Sequence, residues 1–216
     1  MPGLDDFLQI PRIAYFTMEI ALRADIPTYS GGLGVLAGDT VRTAADLTLP
    51  LVAVSLVSRH GYFRQEIDAD GRQHEAPDPW DPAQHCKPLR AKVTVPVSGH
   101  DVWVGGWLYI LHAPRGGRQP VILLDTNFPE NHPDDRGITD VLYGGDEAYR
   151  LKQEIVLGIG GIRLLRALGF DIHIYHLNEG HAALLTLSLL RRYRRETGNH
   201  TPDPFLYEVD RVRELT

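Results

Sequence analysis

The chain has 216 residues, 43% of them hydrophobic, and a formal charge of −6, so it can bury a substantial core and has no bulk attraction for nucleic acid. No run approaches 18 apolar residues, and the start, with Asp5 and Asp6, lacks the apolar centre of a leader peptide; a cytoplasmic location and no membrane partner are the expectation. The single cysteine, Cys86, excludes an intrachain disulfide and a thiolate metal cluster.

Along the chain, Ile13 to Thr17 reads as a strand, and Leu33 to Leu47 as a helix, with apolar residues at Leu33, Leu36, Ala37, Val41, Ala44 and Ala45. Pro50 stops that helix, and the unbroken apolar run Leu51 to Val57 predicts a strand covered on both faces. Strand, glycine-rich turn, helix and buried strand in that order predict an α/β fold on a parallel sheet. Residues 61–113 read differently. Tyr62 to Ile67, Lys92 to Val97 and Val102 to Leu111 are β-rich, which predicts an antiparallel insertion within one domain spanning 1–216. Val121 to Asp125 is a further buried strand, followed by an irregular acidic stretch from Thr126 to Gly145 that is either a gate or a solvated connection.

Glu147 to Leu168 reads as a helix despite Gly158, Gly160 and Gly161, whose small size suits close packing. Gly169 ends it, Asp171 to Leu177 is the next strand, and a helix starts at Glu179 or Gly180. The cations Arg191, Arg192, Arg194 and Arg195 fit the solvated end of that helix, and Val212 to Thr216 looks like the beginning of a strand.

Chemistry concentrates at two places. Ser30-Gly31-Gly32-Leu33-Gly34 opens the first helix, where bare backbone N–H groups and the positive helix end can hold an oxyanion; a tight turn without ligand is the alternative. Asn178-Glu179-Gly180-His181 follows a parallel strand, at the edge where such sheets place ligands. There the choice lies between a sugar-contacting imidazole and a helix cap with a packed histidine. Glu19 stands just past the first strand as a candidate for a sugar hydroxyl or a phosphate-holding arginine, and Asp39 as a surface carboxylate. His173, His176 and His181 make no metal site, because strand residues three apart point to opposite faces. Neither the dinucleotide fingerprint nor the P-loop lysine is present.

Five segments in order resemble the N-terminal part of the α-glucan phosphorylases, nearest to the short bacterial and archaeal type: Tyr29 to Asp39, Gly61 to Gln65, Tyr143 to Asp146, Arg150 to Glu154 and Leu177 to His181. The resemblance implies a Rossmann-like N-terminal domain of the two-domain glycosyltransferase B type. It also implies phosphorolysis of α-1,4-glucans by inorganic phosphate to glucose 1-phosphate, assisted by pyridoxal phosphate. By the same resemblance Gly31, Gly32, Leu33 and Gly34 meet the phosphate and glucosyl unit, Glu19, Asn178, Glu179 and His181 lie on the substrate side, and the acidic stretch corresponds to a gating region. The cofactor lysine of the family belongs to a C-terminal domain. None of Lys87, Lys92 and Lys152 resembles it, so a covalent cofactor and activity of this chain alone are not expected. The partners implied are an α-1,4-glucan and phosphate. The place of the cofactor-bearing domain is left open between a longer chain of which this is a fragment and a separate chain, and a non-catalytic glucan-binding or interaction module is the alternative function. A sugar-nucleotide glycosyltransferase fits the motifs less well.

Overall fold

The computed structural model describes residues 3–8, 12–197 and 204–216, with side chains described for 3–8, 12–194 and 209–216; the side chain of Arg195 lies outside the described residues. Strand β1 (Ile13–Phe16) leads through the glycine turn into helix α1 (Gly32–Asp46) and then β2 (Leu51–Leu56), every residue of which is buried. A polar hairpin, β3 (Arg64–Ile67) with β4 (Gln73–Ala76), projects from the body. It is followed by β5 (Lys87–Pro88), β6 (Val93–Val97), β7 (His100–His112) and β8 (Arg118–Asp125). The one-turn helix α2 (Pro133–Arg136) interrupts the acidic stretch. Helix α3 (Glu147–Ile155) then runs through a π-helical turn at Val156–Gly160 into α4 (Gly161–Ala167). Strand β9 (Ile174–Leu177), α5 (Leu185–Thr197) and α6 (Pro204–Arg213) complete the described chain.

Among the described residues one mixed sheet has the order β5-β7-β8-β2-β1-β9, with β6 also on β7. The strands β8, β2, β1 and β9 run parallel, and β7 adds to β8 in the antiparallel sense over Gly105 to His112. Residues 61–113 therefore both extend the main sheet and form a separate hairpin.

Alternation along the central strands feeds two cores. Tyr15, Ala53, Val121 and Leu123 pack with Ala37, Val41 and Ala44 of α1. Ala14, Phe16, Val54, Ile122 and Leu124 pack on the other face with Val156, Leu157, Ile162 and Leu165. Each fully buried Val, Leu or Ile contributes roughly 1.5–3 kcal/mol, so helices on both faces are what hold this sheet. Small residues permit the second layer to come close. A Cβ on Gly161 would lie 2.7 Å from Phe16 Cε1, and one on Gly158 would lie 2.8 Å from the Leu185 nitrogen. Gly169, at φ +93°, ends α4 in the left-handed conformation that glycine adopts freely.

Three expectations need correction. The acidic stretch is only partly a solvated connection: Glu130 and His132 to Asp134 are exposed, but Asn131 and Asp135 are buried, and the Asn131 side chain bonds both the N–H and the carbonyl of Trp103, at 2.7 and 2.8 Å. The segment after β9 forms a 3-10 turn at Gly180–Ala182 before α5 begins at Leu185. Val212 and Arg213 close a helix rather than open a strand, with Val212 buried in the core and the Leu215 carbonyl taking the Tyr175 N–H at 2.7 Å. Among the described residues no helix is long and apolar enough to cross a membrane.

Candidate functional site

Strands β1 and β9 end side by side, with Phe16 opposite Leu177. The helix that follows β1 packs on the Tyr15 face, whereas Ala182, Leu185 and Leu189, which follow β9, pack on the Phe16 face. Connections that leave neighbouring parallel strands toward opposite faces open a crevice at the carboxyl edge, the usual ligand position of such sheets. The glycine turn forms one side of it and Asn178 to His181 the other.

Hydrogen bonds fasten the floor. Asn178, buried, donates from Nδ2 to Thr17 Oγ1 at 3.1 Å, and its N–H donates to the Phe16 carbonyl at 2.9 Å. Thr17 Oγ1 in turn donates to the Glu19 carbonyl at 2.7 Å.

Glu19, 3% exposed, is turned toward the glycine turn. Its Oε2 accepts the N–H of Ser30 at 2.6 Å, the N–H of Gly31 at 3.2 Å and the Ser30 hydroxyl at 3.3 Å. The turn thus has a resident carboxylate of its own, and among the described residues no arginine is paired with Glu19. This divides the four turn residues. The Gly31 N–H is committed to Glu19. Gly34 is a packing residue, since a Cβ there would stand 2.4 Å from Tyr29 Cβ and 2.8 Å from Glu19 Oε2. The amides of Gly32 and Leu33 occupy the first positions of α1, and among the described residues no side chain caps them. Gly31 and Gly32 are exposed, and a Cβ on either would meet nothing within 4 Å, so this end of the helix borders open space. Uncapped amides at the positive end of a helix can take an oxyanion.

On the other side, Glu179 has φ +64° and ψ −174°, a conformation close to glycine-only territory, and it makes no hydrogen bond or ion pair among the described residues. His181 Nδ1 lies 3.3 Å from Glu154 Oε1. With the Nδ1 proton directed at that carboxylate, Nε2 of the neutral ring is left to accept from a hydroxyl group.

Tyr143 joins the two sides, a role that sequence reasoning did not give it. Its hydroxyl donates to Glu19 Oε1 at 3.1 Å, its ring centroid is 5.6 Å from that of His181, and the Arg150 guanidinium stands 5.7 Å from the ring. Burial, then the Glu19 charge, push the Tyr143 phenol above its ordinary range, so it remains a donor. Its signal in the sequence was membership of the Tyr143 to Asp146 segment; nothing periodic marked it.

The remaining candidates lie elsewhere. Asp39 is exposed and paired with Arg42 at 3.3 Å. His173 lies 3.1 Å from Asp171, and His176 stacks on Tyr15 at 4.8 Å, so the three histidines have three separate partners. Lys92 is bound to Glu130 at 2.7 Å, Lys152 lies 3.5 Å from buried Asp135, and Lys87 lies on β5. Burial pushes the Cys86 thiol up to about 12, which leaves it unreactive. A cavity of about 590 Å³ lined by Lys92, Trp103, Arg163, Arg166 and Arg191 lies between the β6–β7 hairpin and helices α4 and α5, away from the crevice.

No family model matches the chain. Individual relatives do. It is 44% identical over 211 residues to a maltodextrin phosphorylase of Thermococcus litoralis, covering 94% of this chain and 24% of that protein. It is 42% identical over 198 residues to a glycogen phosphorylase of Mycobacterium tuberculosis, covering 86% of this chain and 22% of the relative. The chain corresponds to an N-terminal part of the α-glucan phosphorylases. A glycogen phosphorylase of Aquifex aeolicus is 35% identical over 216 residues, 94% of this chain and 30% of the relative. The chain thus spans about a quarter of the length of these α-glucan phosphorylases.

Proposed function

We propose that this chain provides the phosphate- and glucosyl-contacting wall of an α-1,4-glucan phosphorylase, built as the Rossmann-like N-terminal half of a glycosyltransferase B-type cleft. The observation that carries the reading is the helix start at Gly32 and Leu33, which no side chain caps among the described residues and where Gly32 is exposed with open space around it. Phosphorolysis passes through an oxocarbenium-like centre attacked by a phosphate, and such a step needs fixed donors more than it needs a nucleophilic side chain. In this reading Gly32 and Leu33 hold phosphate or glucosyl oxygens. His181 Nε2 and the Glu179 carboxylate accept from sugar hydroxyls, and Asn178 holds the crevice floor in register.

Pyridoxal phosphate supplies a phosphate that relays the proton in the complete enzymes. The lysines here do not fit its covalent attachment: Lys92 and Lys152 are ion-paired, and Lys87 is exposed on an outer strand. We therefore assign the cofactor and the opposite wall to another domain or chain. The purified 216-residue chain is expected to bind maltoheptaose and phosphate and to release no glucose 1-phosphate. Release of glucose 1-phosphate would overturn the division of labour, and absence of binding to either ligand would overturn the site.

A further inference from the structure

We propose that Tyr143 is a positioning residue, which sets the glycine turn through Glu19 and so ties the anion-holding amides to the fold of the stretch between β8 and α3. The proposal rests on the reading of Gly32 and Leu33 as those amides. Its geometry is a relay across one carboxylate. Glu19 Oε1 takes the Tyr143 hydroxyl, while Oε2 takes the Ser30 and Gly31 amides. A carboxylate is planar and rigid, so rotating it to follow one partner moves the oxygen that serves the other.

Glu19 has little freedom to compensate, being buried and pressed against the Cβ-free face of Gly34. Its backbone is also fixed, because the Glu19 carbonyl is the acceptor for Thr17 Oγ1. Tyr143 itself sits at φ +55°, next to Gly144 and Gly145, at the end of the acidic stretch. A tyrosine in the left-handed region costs about 1–3 kcal/mol, and it persists where surroundings over-determine it. Here those surroundings are Glu19, His181 and Arg150, drawn from three separate segments. Any movement of the stretch that lifts Tyr143 withdraws a donor from Glu19 and frees the turn.

The test uses the whole chain with Tyr143→Phe, which removes only the hydroxyl, and Tyr143→Leu, which also removes the ring. Amide resonances and hydrogen exchange of Ser30 and Gly31 are read without ligand, and inorganic phosphate is then titrated. Tyr143→Phe is expected to shift both resonances and to weaken phosphate binding about 3–10-fold, the size of one ordinary hydrogen bond, since the lost contact acts on the anion through Glu19 and the turn. Leucine should add a change at His181. Ser30 and Gly31 resonances unchanged in Tyr143→Phe would overturn the proposal. If the wild-type chain binds no phosphate while Tyr143→Phe still moves the turn, the anion reading fails and the relay stands. The other end of the relay gives an independent reading: Glu19→Gln should let the Tyr143 phenol ionise at lower pH, followed by tyrosinate absorbance, and an unchanged ionisation would count against it.

Discussion

Asn178 Nδ2 and Thr17 Oγ1 are hydrogen-bonded at 3.1 Å across 161 residues of sequence, and this contact locks the ends of β9 and β1 together under the crevice. Replacing Asn178 by Ala leaves a buried hydroxyl with fewer partners. The expected cost is about 1–3 kcal/mol, read from urea denaturation. Maltoheptaose affinity should fall in the same variant, because the two sides of the crevice lose their common register.

Glu179 offers the opposite trade. Its φ of +64° suits glycine, so Glu179→Gly should stabilise the chain by about 1 kcal/mol in thermal or urea unfolding. The same change removes a carboxylate that has no hydrogen bond among the described residues and that we place toward the sugar. Higher stability with weaker maltoheptaose binding is the expected pair of results; unchanged binding would remove Glu179 from the site.

Close packing over β1 is tested at Gly161. A Cβ there would stand 2.7 Å from Phe16 Cε1 and 3.1 Å from Val54 Cγ1, so Gly161→Ala should cost about 1–3 kcal/mol of overpacking, partly offset by alanine's better helix propensity. Gly160→Ala is the control. Its nearest neighbour would be 3.4 Å away, and that variant should be neutral or slightly stabilised in the same denaturation.

Asp140 gives a pH signature. Its Oδ1 is buried without a hydrogen-bond partner among the described residues, and burial pushes the carboxyl above its ordinary value of 3.8; His60 and Arg59 oppose this, and Asp125 adds to it. A group raised in the fold contributes stability that is present below its ordinary pKa and is lost as pH rises through the folded value. Asp140→Asn should therefore be more stable than wild type at pH 7. The difference should shrink as pH falls below the ordinary carboxyl range, as followed by urea midpoints against pH.

The sequence carried the parts of this fold whose burial is periodic. Val41, Ala44 and Ala45 announced α1, and the run from Leu51 to Leu56 announced a strand covered twice, because a residue's neighbours along the chain report the same surface. Gln73–Ala76 and Lys87–Pro88 gave no such signal: both are short and exposed, and they pair through backbone groups whose bonding leaves no periodic mark in the sequence. The crevice was legible as two separate motifs, but not as a connected site. Glu19 and Tyr143 are 124 residues apart, and only the folded sheet shows that the carboxylate expected to serve a sugar hydroxyl or an arginine is engaged with the glycine turn and with Tyr143. The same contact explains why Gly31 and Gly34 differ from Gly32, although all three look alike as glycines in a turn.

The most direct measurement is a phosphate titration of the uniformly labelled chain, followed by backbone amide resonances in wild type and in Gly32→Ala. A Cβ at Gly32 meets nothing within 4 Å in the protein, so the fold should tolerate the substitution while the methyl group enters the space assigned to the anion. The expected result is saturable shifts at Gly32 and Leu33 in wild type, with binding much weakened in Gly32→Ala at undiminished thermal stability. Shifts confined to the arginine-lined cavity near Arg163 and Arg191, or equal binding by both proteins, would contradict the assignment of these amides as the anion site.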